Sequence, residues 1–309
     1  MASPPTPLRI GSRGSPLALA QAYMAKAALA AAHGWDDEAI AIVPVRTTGD
    51  RVQDRPLAEI GGKALWTKEL DRALIEGDID IAVHSMKDVE TIRPAEIVIA
   101  AMLERADMRD RLIGAESIDA LPQGARIGTS SPRRAAQLLS LRPDLAIETL
   151  RGNVATRLAA VESGTVDATL LAAAGLDRLG HHDIGAPIPI ETLLPAAQQG
   201  AIGIETLGGR GDMRALLEAI DHGATHRCVA AERAFLEALG ADCHSPVAAL
   251  AQEEGGRTRL RGQLLTNDGG ETVADTVEAP ADAADEAARD LADALLERAN
   301  PALRALFAG

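Results

Sequence analysis

Aromatic side chains are almost missing: Trp35, Trp66, Tyr23, Phe235 and Phe307 are all that 309 residues contain. The core has to be built from Leu, Ile, Val and Ala, and no series of rings exists on which single-stranded nucleic acid could stack. Cysteine is equally scarce. Cys228 and Cys243 cannot make a disulfide framework, so a reducing, cytoplasmic setting is expected. No uncharged apolar run reaches the ~18 residues a bilayer span needs. The opening stretch, residues 1–9, lacks a basic start followed by an apolar segment, so neither a membrane nor a secretory leader is expected. Positive charge is in deficit, with 31 Lys and Arg against 45 Asp and Glu and a net charge of −14, which speaks against binding a phosphate backbone. Small anions remain plausible ligands wherever basic residues concentrate. What is left is a composition of 47% hydrophobic and 25% charged residues, that of an ordinary globular protein long enough for two or three domains.

Short β-like runs alternate with Ala- and Leu-rich helical stretches over the first two-thirds, the pattern of an α/β protein with mostly parallel strands. Strands are expected at 8–12, 40–47, 79–83, 97–102, 125–129, 146–150 and 168–172, with helices at 16–32, 63–76, 132–141 and 154–162. One echo stands out: Arg9-Ile-Gly-Ser-Arg-Gly-Ser-Pro16 and Arg126-Ile-Gly-Thr-Ser-Ser-Pro132 each place Ser before Pro at a helix start, as an N-cap and first helical residue require. Two similar α/β halves facing a shared cleft follow. The final stretch differs, with a helix at 226–239, a strand at 247–252, a hairpin over 258–277 turning at Asn267-Asp-Gly-Gly270, and a helix at 283–299. The expected fold is therefore two α/β lobes, 1–103 (with the chain returning near 201–220) and 104–200, plus a small α+β domain at 222–309.

Five arginines sit where strands end or helices begin: Arg13, Arg133, Arg134, Arg151 and Arg157. In open α/β sheets this edge binds ligands, helix N-termini there favour anions, and guanidinium groups grip carboxylates and phosphates in bidentate fashion. A polycarboxylate or phosphate ligand is implied. Beside a strand end, His84-Ser-Met-Lys-Asp88 adds an acidic group, Asp88, which would repel such a ligand unless positive charge develops or a proton moves during reaction. Cys243 lies in a turn, Gly240-Ala-Asp-Cys-His-Ser-Pro246, whereas Cys228 falls inside a helix. With His226 and His244 these thiols match no common zinc spacing, and no metal is expected.

Residues 9–21, 62–70, 83–88, 128–134, 150–157, 199–205 and the Cys243 loop, in that order, resemble the porphobilinogen deaminase (hydroxymethylbilane synthase) family. The resemblance covers essentially the whole chain. It implies a cytoplasmic, monomeric enzyme of tetrapyrrole synthesis that condenses four porphobilinogens into hydroxymethylbilane and releases ammonia. It also implies two solute-binding-protein-like lobes and a small third domain whose cysteine, here Cys243, carries a dipyrromethane cofactor through a thioether. Asp88 is then the catalytic carboxylate, meeting the ammonium leaving group and cationic pyrrole intermediates. Lys87, Ser85, Thr129, Ser130, Ser131, Arg133, Arg134, Asn153 and Arg157 are implied to surround the cofactor. Arg13, Arg151, Arg157, Lys63, Gln199 and the lid residue Trp66 are implied to receive the substrate. Four departures are visible: Trp66 for a common Phe, Pro132 for Leu, Glu90 for Pro, and an altered run at Ala197-Gln198. Two other readings remain open at this point. A small-anion receptor shares the two-lobed build but would need neither Asp88 nor a cysteine-bearing third domain. A transferase acting on phosphorylated substrates would be expected to carry a glycine-rich phosphate loop, and none occurs.

Overall fold

A computed structural model describes residues 7–46 and 67–307. The chain divides into two compact units, Met1–Ala106 with Ala201–His226, and Asp107–Gly200 with Arg227–Gly309.

The first unit is built on a five-stranded sheet. Its strands are β1 (Leu8–Arg13), β2 (Ile40–Val45), β3 (Ile81–Ser85), β4 (Ile97–Met102) and β10 (Ile202–Leu207), in the order β2-β1-β3-β10-β4. Alternation along the strands sends Leu8, Ile10, Ile81 and Val83 to one face, where Ala22, Ala25 and Leu29 of α1 (Pro16–His33) bury against them. The other face carries Ala82, Val43 and Val45 under Leu70 and Leu74 of α2 (Lys68–Ile75). Alanine on α1 lets helix and sheet approach closely, an economical way to fill a core short of rings.

The second unit repeats the plan. Strands β5 (Asp110–Ile113), β6 (Arg126–Gly128), β7 (Ala146–Glu148), β8 (Ala168–Ala172) and β9 (Ala186–Pro187) lie in the order β7-β6-β8-β5-β9. Helix α3 (Pro132–Leu141) covers one face through Leu138, and α4 (Val154–Glu162) covers the other through Leu158 and Val161. In each sheet a central strand (β1 or β6) has parallel partners on both sides, and the next strand outward is antiparallel to its neighbours (β10 or β5). The sheets are thus mixed where the sequence suggested mostly parallel strands. An antiparallel strand with both faces covered reads as apolar as a parallel one. The echo between residues 9–16 and 126–132 marks equivalent strand-to-helix corners.

The same unit holds a three-stranded antiparallel sheet of β11 (Val247–Glu254), β12 (Arg257–Leu265) and β13 (Thr272–Pro280), the last two joined at the expected Asn267–Gly270 turn. Helices α7 (Gly223–Ala238) and α8 (Ala284–Arg298) supply Phe235, Leu291, Ala292 and Leu295 to its core. Short elements that the sequence did not announce include α5 (Ala173–Arg178) and α6 (Gly211–Leu217).

Candidate functional site

In the first unit β1 ends at Arg13, and Ser15 caps α1 by accepting the Ala18 N–H at 3.3 Å. Strand β3 ends at Ser85 and runs into a single 3-10 turn, Met86–Asp88, that presents Lys87 and Asp88. The wholly buried Met86 anchors this turn. Its N–H donates to the Ala201 carbonyl, and a Cβ on Gly203 would lie 2.1 Å from its sulfur, so glycine there makes its room. Arg13, Ser15, Gln21, His84, Ser85 and Asp88 line one small recess, about 40 Å³ in volume. Three residues singled out by the sequence, Arg13, Ser85 and Asp88, thereby come together from two separate motifs. Gln21, absent from that set, is buried there with an amide nitrogen that has no hydrogen-bond partner among the described residues. Its place one face along α1 from the Ser15 cap was the available signal.

Behind the recess lies a buried ion cluster. The Arg93 guanidinium donates from Nε and Nη2 to the two oxygens of Glu205, both at 2.8 Å, and also reaches Glu90 (2.8 Å) and Asp71. Thr67 donates its hydroxyl to Glu90 at 2.7 Å. Glu90, a departure from the family pattern, is thereby built into the loop that follows Asp88. The Nε2 atom of His84 lies 3.1 Å from Glu205, without hydrogen-bond alignment. Burial alone would raise the Glu205 carboxyl, but the His84 and Arg93 side chains bring it down to about 2. Asp71 is raised, because burial outweighs its contact with Arg93. Sequence reasoning missed Glu205 and Arg93, although an acid closing the apolar run Ala201–Glu205 was a visible anomaly.

In the second unit β6 ends at Gly128, and Thr129, Ser130 and Ser131 lead into α3. Ser131 caps that helix, accepting the Arg134 N–H at 3.4 Å, and its own N–H donates to the Thr129 hydroxyl at 3.1 Å. Pro132 fits because the first helical residue needs no N–H. Asn153 caps α4 by accepting the Thr156 N–H at 2.9 Å, while Arg157 donates to the Ser130 hydroxyl at 3.3 Å and the Gly152 carbonyl at 3.1 Å. Arg151 is half-buried just before this cap.

Arg133 and Arg134 are more enclosed than a surface anion site requires, at 3% and 7% exposure. Both donate to Asp110, at 2.7 Å each, and the Gln199 amide donates to the same carboxylate at 2.9 Å. Burial would raise Asp110; the charges of Arg134 and Arg133 overcome it and hold the carboxyl well below the ordinary carboxylate range. Burial depresses Arg133. Asp110 was not among the expected residues. Its signal was a charge flanked by arginines, Arg109-Asp-Arg111, at the head of an apolar strand.

Cys243 occupies an exposed turn closed by Ser245 N–H to the Asp242 carbonyl and by His244 N–H to the Asp242 carboxylate, whereas Cys228 is buried in α7. Among the described residues no group of three or more His, Cys, Asp or Glu could hold a metal ion. Lys63 and Trp66 lie outside the described residues.

Residues 8–215 match the family described as "Porphobilinogen deaminase, dipyromethane cofactor binding domain", and residues 226–297 match "Porphobilinogen deaminase, C-terminal domain". The porphobilinogen deaminase of Sphingopyxis alaskensis is 60% identical, over 100% of this chain and 99% of the relative. That of Paracoccus denitrificans is 50% identical over 97% and 96%. Among solved structures, substrate-binding domain 2 of Lactococcus lactis GlnP is similar at a TM-score of 0.44 and 14% identity, over 78% of this chain and 94% of that one. With two family domains matched in order and full-length relatives at this identity, the chain belongs to the porphobilinogen deaminase family, transferases that condense porphobilinogen into a tetrapyrrole on a dipyrromethane cofactor.

Proposed function

We propose that this chain condenses porphobilinogen head to tail into hydroxymethylbilane, with Asp88 as its catalytic carboxylate. The observation that carries the assignment is the recess that joins Arg13, Ser85 and Asp88. A guanidinium and a carboxylate at one recess suit a substrate that is anionic at its acetate and propionate arms and cationic at its aminomethyl group. Arg13 and Ser85 hold the arms, with Lys87 of the adjoining turn as a further basic contact. The Asp88 carboxylate faces the aminomethyl ammonium, which departs as ammonia, and stabilises the positive charge left on the pyrrole.

The second unit offers a donor set suited to a group rich in carboxylates. Ser130, Ser131, Asn153, Arg134 and Arg157 cluster at two helix N-termini, where the dipole also favours anions. Thr129 and Arg133 support them from beneath. Cys243, exposed in its turn, is accessible for a thioether as Cys228 is not. When bound, the dipyrromethane supplies the pyrrole end to which each new substrate is joined. A receptor for a small anion would need neither Asp88 nor the exposed Cys243, and the sequence carries no glycine-rich phosphate loop.

Distinct cores, one around Ile127 and Leu170 and one around Phe235 and Leu295, support separate domains at about 104–200 and 222–309. No helix among the described residues is long and apolar enough to cross a membrane. A cytoplasmic monomer without nucleic-acid partners completes the reading. An aldehyde reagent for pyrroles tests it: the purified chain should give colour before any substrate is added and should release ammonia from porphobilinogen. A colourless protein that releases none would overturn the assignment.

A further inference from the structure

The segment Gln198–Gly200 is fastened at every residue. Gln198 has φ +65°, the one left-handed residue other than glycine among those described, and side chains resist this conformation. It persists because Gln198 is gripped twice. Its N–H donates to the wholly buried Glu232 of α7, and Arg233 donates to its side-chain carbonyl at 2.8 Å. Gly200 is held by Arg178, whose Nη2 donates to its carbonyl at 2.6 Å. Between them Gln199, 1% exposed, donates to the Met108 carbonyl at 2.8 Å and to Asp110 at 2.9 Å. Asp110 therefore has one fixed orientation, and it meets the arginines asymmetrically. Arg133 gives its two terminal nitrogens to Asp110 and the Leu194 carbonyl, and its buried Nε has no hydrogen-bond partner among the described residues. Arg134 is engaged side-on through Nε (3.3 Å) and Nη2 (2.7 Å), so its Nη1 stays outside the pair. Two guanidinium groups share one carboxylate, leaving a surplus positive charge in a buried cluster. An uncompensated buried charge is costly, and an anion brought to the cluster would offset it.

We propose that Asp110 is the positioning residue of this pair: clamped through Gln199, it orients Arg134 so that Nη1 meets a carboxylate of the dipyrromethane cofactor. Gln199 thus acts through Asp110 and not on the substrate. The inference rests on the reading that Arg134 holds a cofactor carboxylate.

The test uses full-length chain made without cofactor in cells that cannot synthesise porphobilinogen. Porphobilinogen is added and the dipyrromethane mass on the protein is followed by intact mass, with circular dichroism and thermal midpoint measured in parallel. Asp110→Asn should slow loading about tenfold to a hundredfold, the scale of a misoriented binding group, and should raise the porphobilinogen concentration for half-maximal loading. Asp110→Glu should recover most of the rate. Gln199→Leu, which leaves every charge in place, should fall between them, and it decides the matter if Asp110→Asn does not fold. A lower thermal midpoint with loading unchanged in both Asp110→Asn and Gln199→Leu would make Asp110 merely structural and overturn the inference. Arg134→Leu separates the two ideas: normal loading in that variant removes the cofactor reading itself. Defective loading there, with normal loading in Asp110→Asn and Gln199→Leu, removes only the positioning role.

Discussion

A thiol in an exposed turn and a thiol buried in a helix differ in the one property that covalent attachment needs, which is access. Cys243→Ser should therefore give a folded chain without the dipyrromethane mass, while Cys228→Ser should keep it, as read by intact mass spectrometry. The reverse pattern would reassign the attachment. Asp88 is distinguished by charge instead. Asp88→Asn keeps its volume but cannot offset a developing cation, and turnover should fall by ~10²–10⁴. Ammonia release by the purified variant checks this, and a near-normal rate would place the catalytic carboxylate elsewhere. Both residues were visible in the sequence because a loop Cys and a Lys-Asp pair after a strand are local features. Gln21 was not, since only the fold turns that face of α1 toward the end of β3.

At the scale of elements, the Met86–Asp88 turn takes its position from the strand beside it. Gly203 faces His84 across the β3–β10 ladder and leaves space that the Met86 side chain fills. Gly203→Ala should force Met86 out, at a cost of about 1–3 kcal/mol typical of overpacking. It should also lower turnover, because the turn carrying Lys87 and Asp88 moves with Met86. Urea unfolding with steady-state kinetics on one preparation checks both; lost stability with normal turnover would mean that the turn holds itself. The helix starts were legible in advance. Ser15-Pro16 and Ser131-Pro132 encode cap and first turn within four residues, so no distant partner is needed. The antiparallel placement of β10 and β5 was not legible, since strand direction depends on where the chain comes from.

For the molecule as a whole, the buried ion cluster of the first unit makes stability depend on pH. Glu205 titrates near 2 in the folded chain, below its ordinary 4.5. A depressed carboxyl contributes stability that is present above the unfolded value and is lost as pH falls through the folded one. Asp110 acts in the same sense, whereas Asp71, raised by burial, acts in the opposite one. The chain should lose stability between about pH 4.5 and pH 2, and Glu205→Gln should flatten that decline while being less stable at pH 7, where Arg93 loses its main partner. Thermal midpoints across that range check the sign. A variant with the parent's slope would show that Glu205 is not the group being titrated.

The sequence alone determined the repeated strand–Ser-Pro–helix corners, the arginines set at them, the loop cysteine and the Lys87-Asp88 pair. Each is written in neighbouring residues and needs only short-range hydrogen bonds and strand alternation to form. The tertiary structure decided which charges oppose one another. Asp110 reaches Arg133, Arg134 and Gln199 across separations of 23, 24 and 89 residues, and Arg93 reaches Glu205 across 112. Composition could not foretell that two of the conspicuous arginines would be buried against a shared acid. Removing a charge from water is costly in any sequence, and only the folded chain fixes which opposite charge lies close enough to offset it.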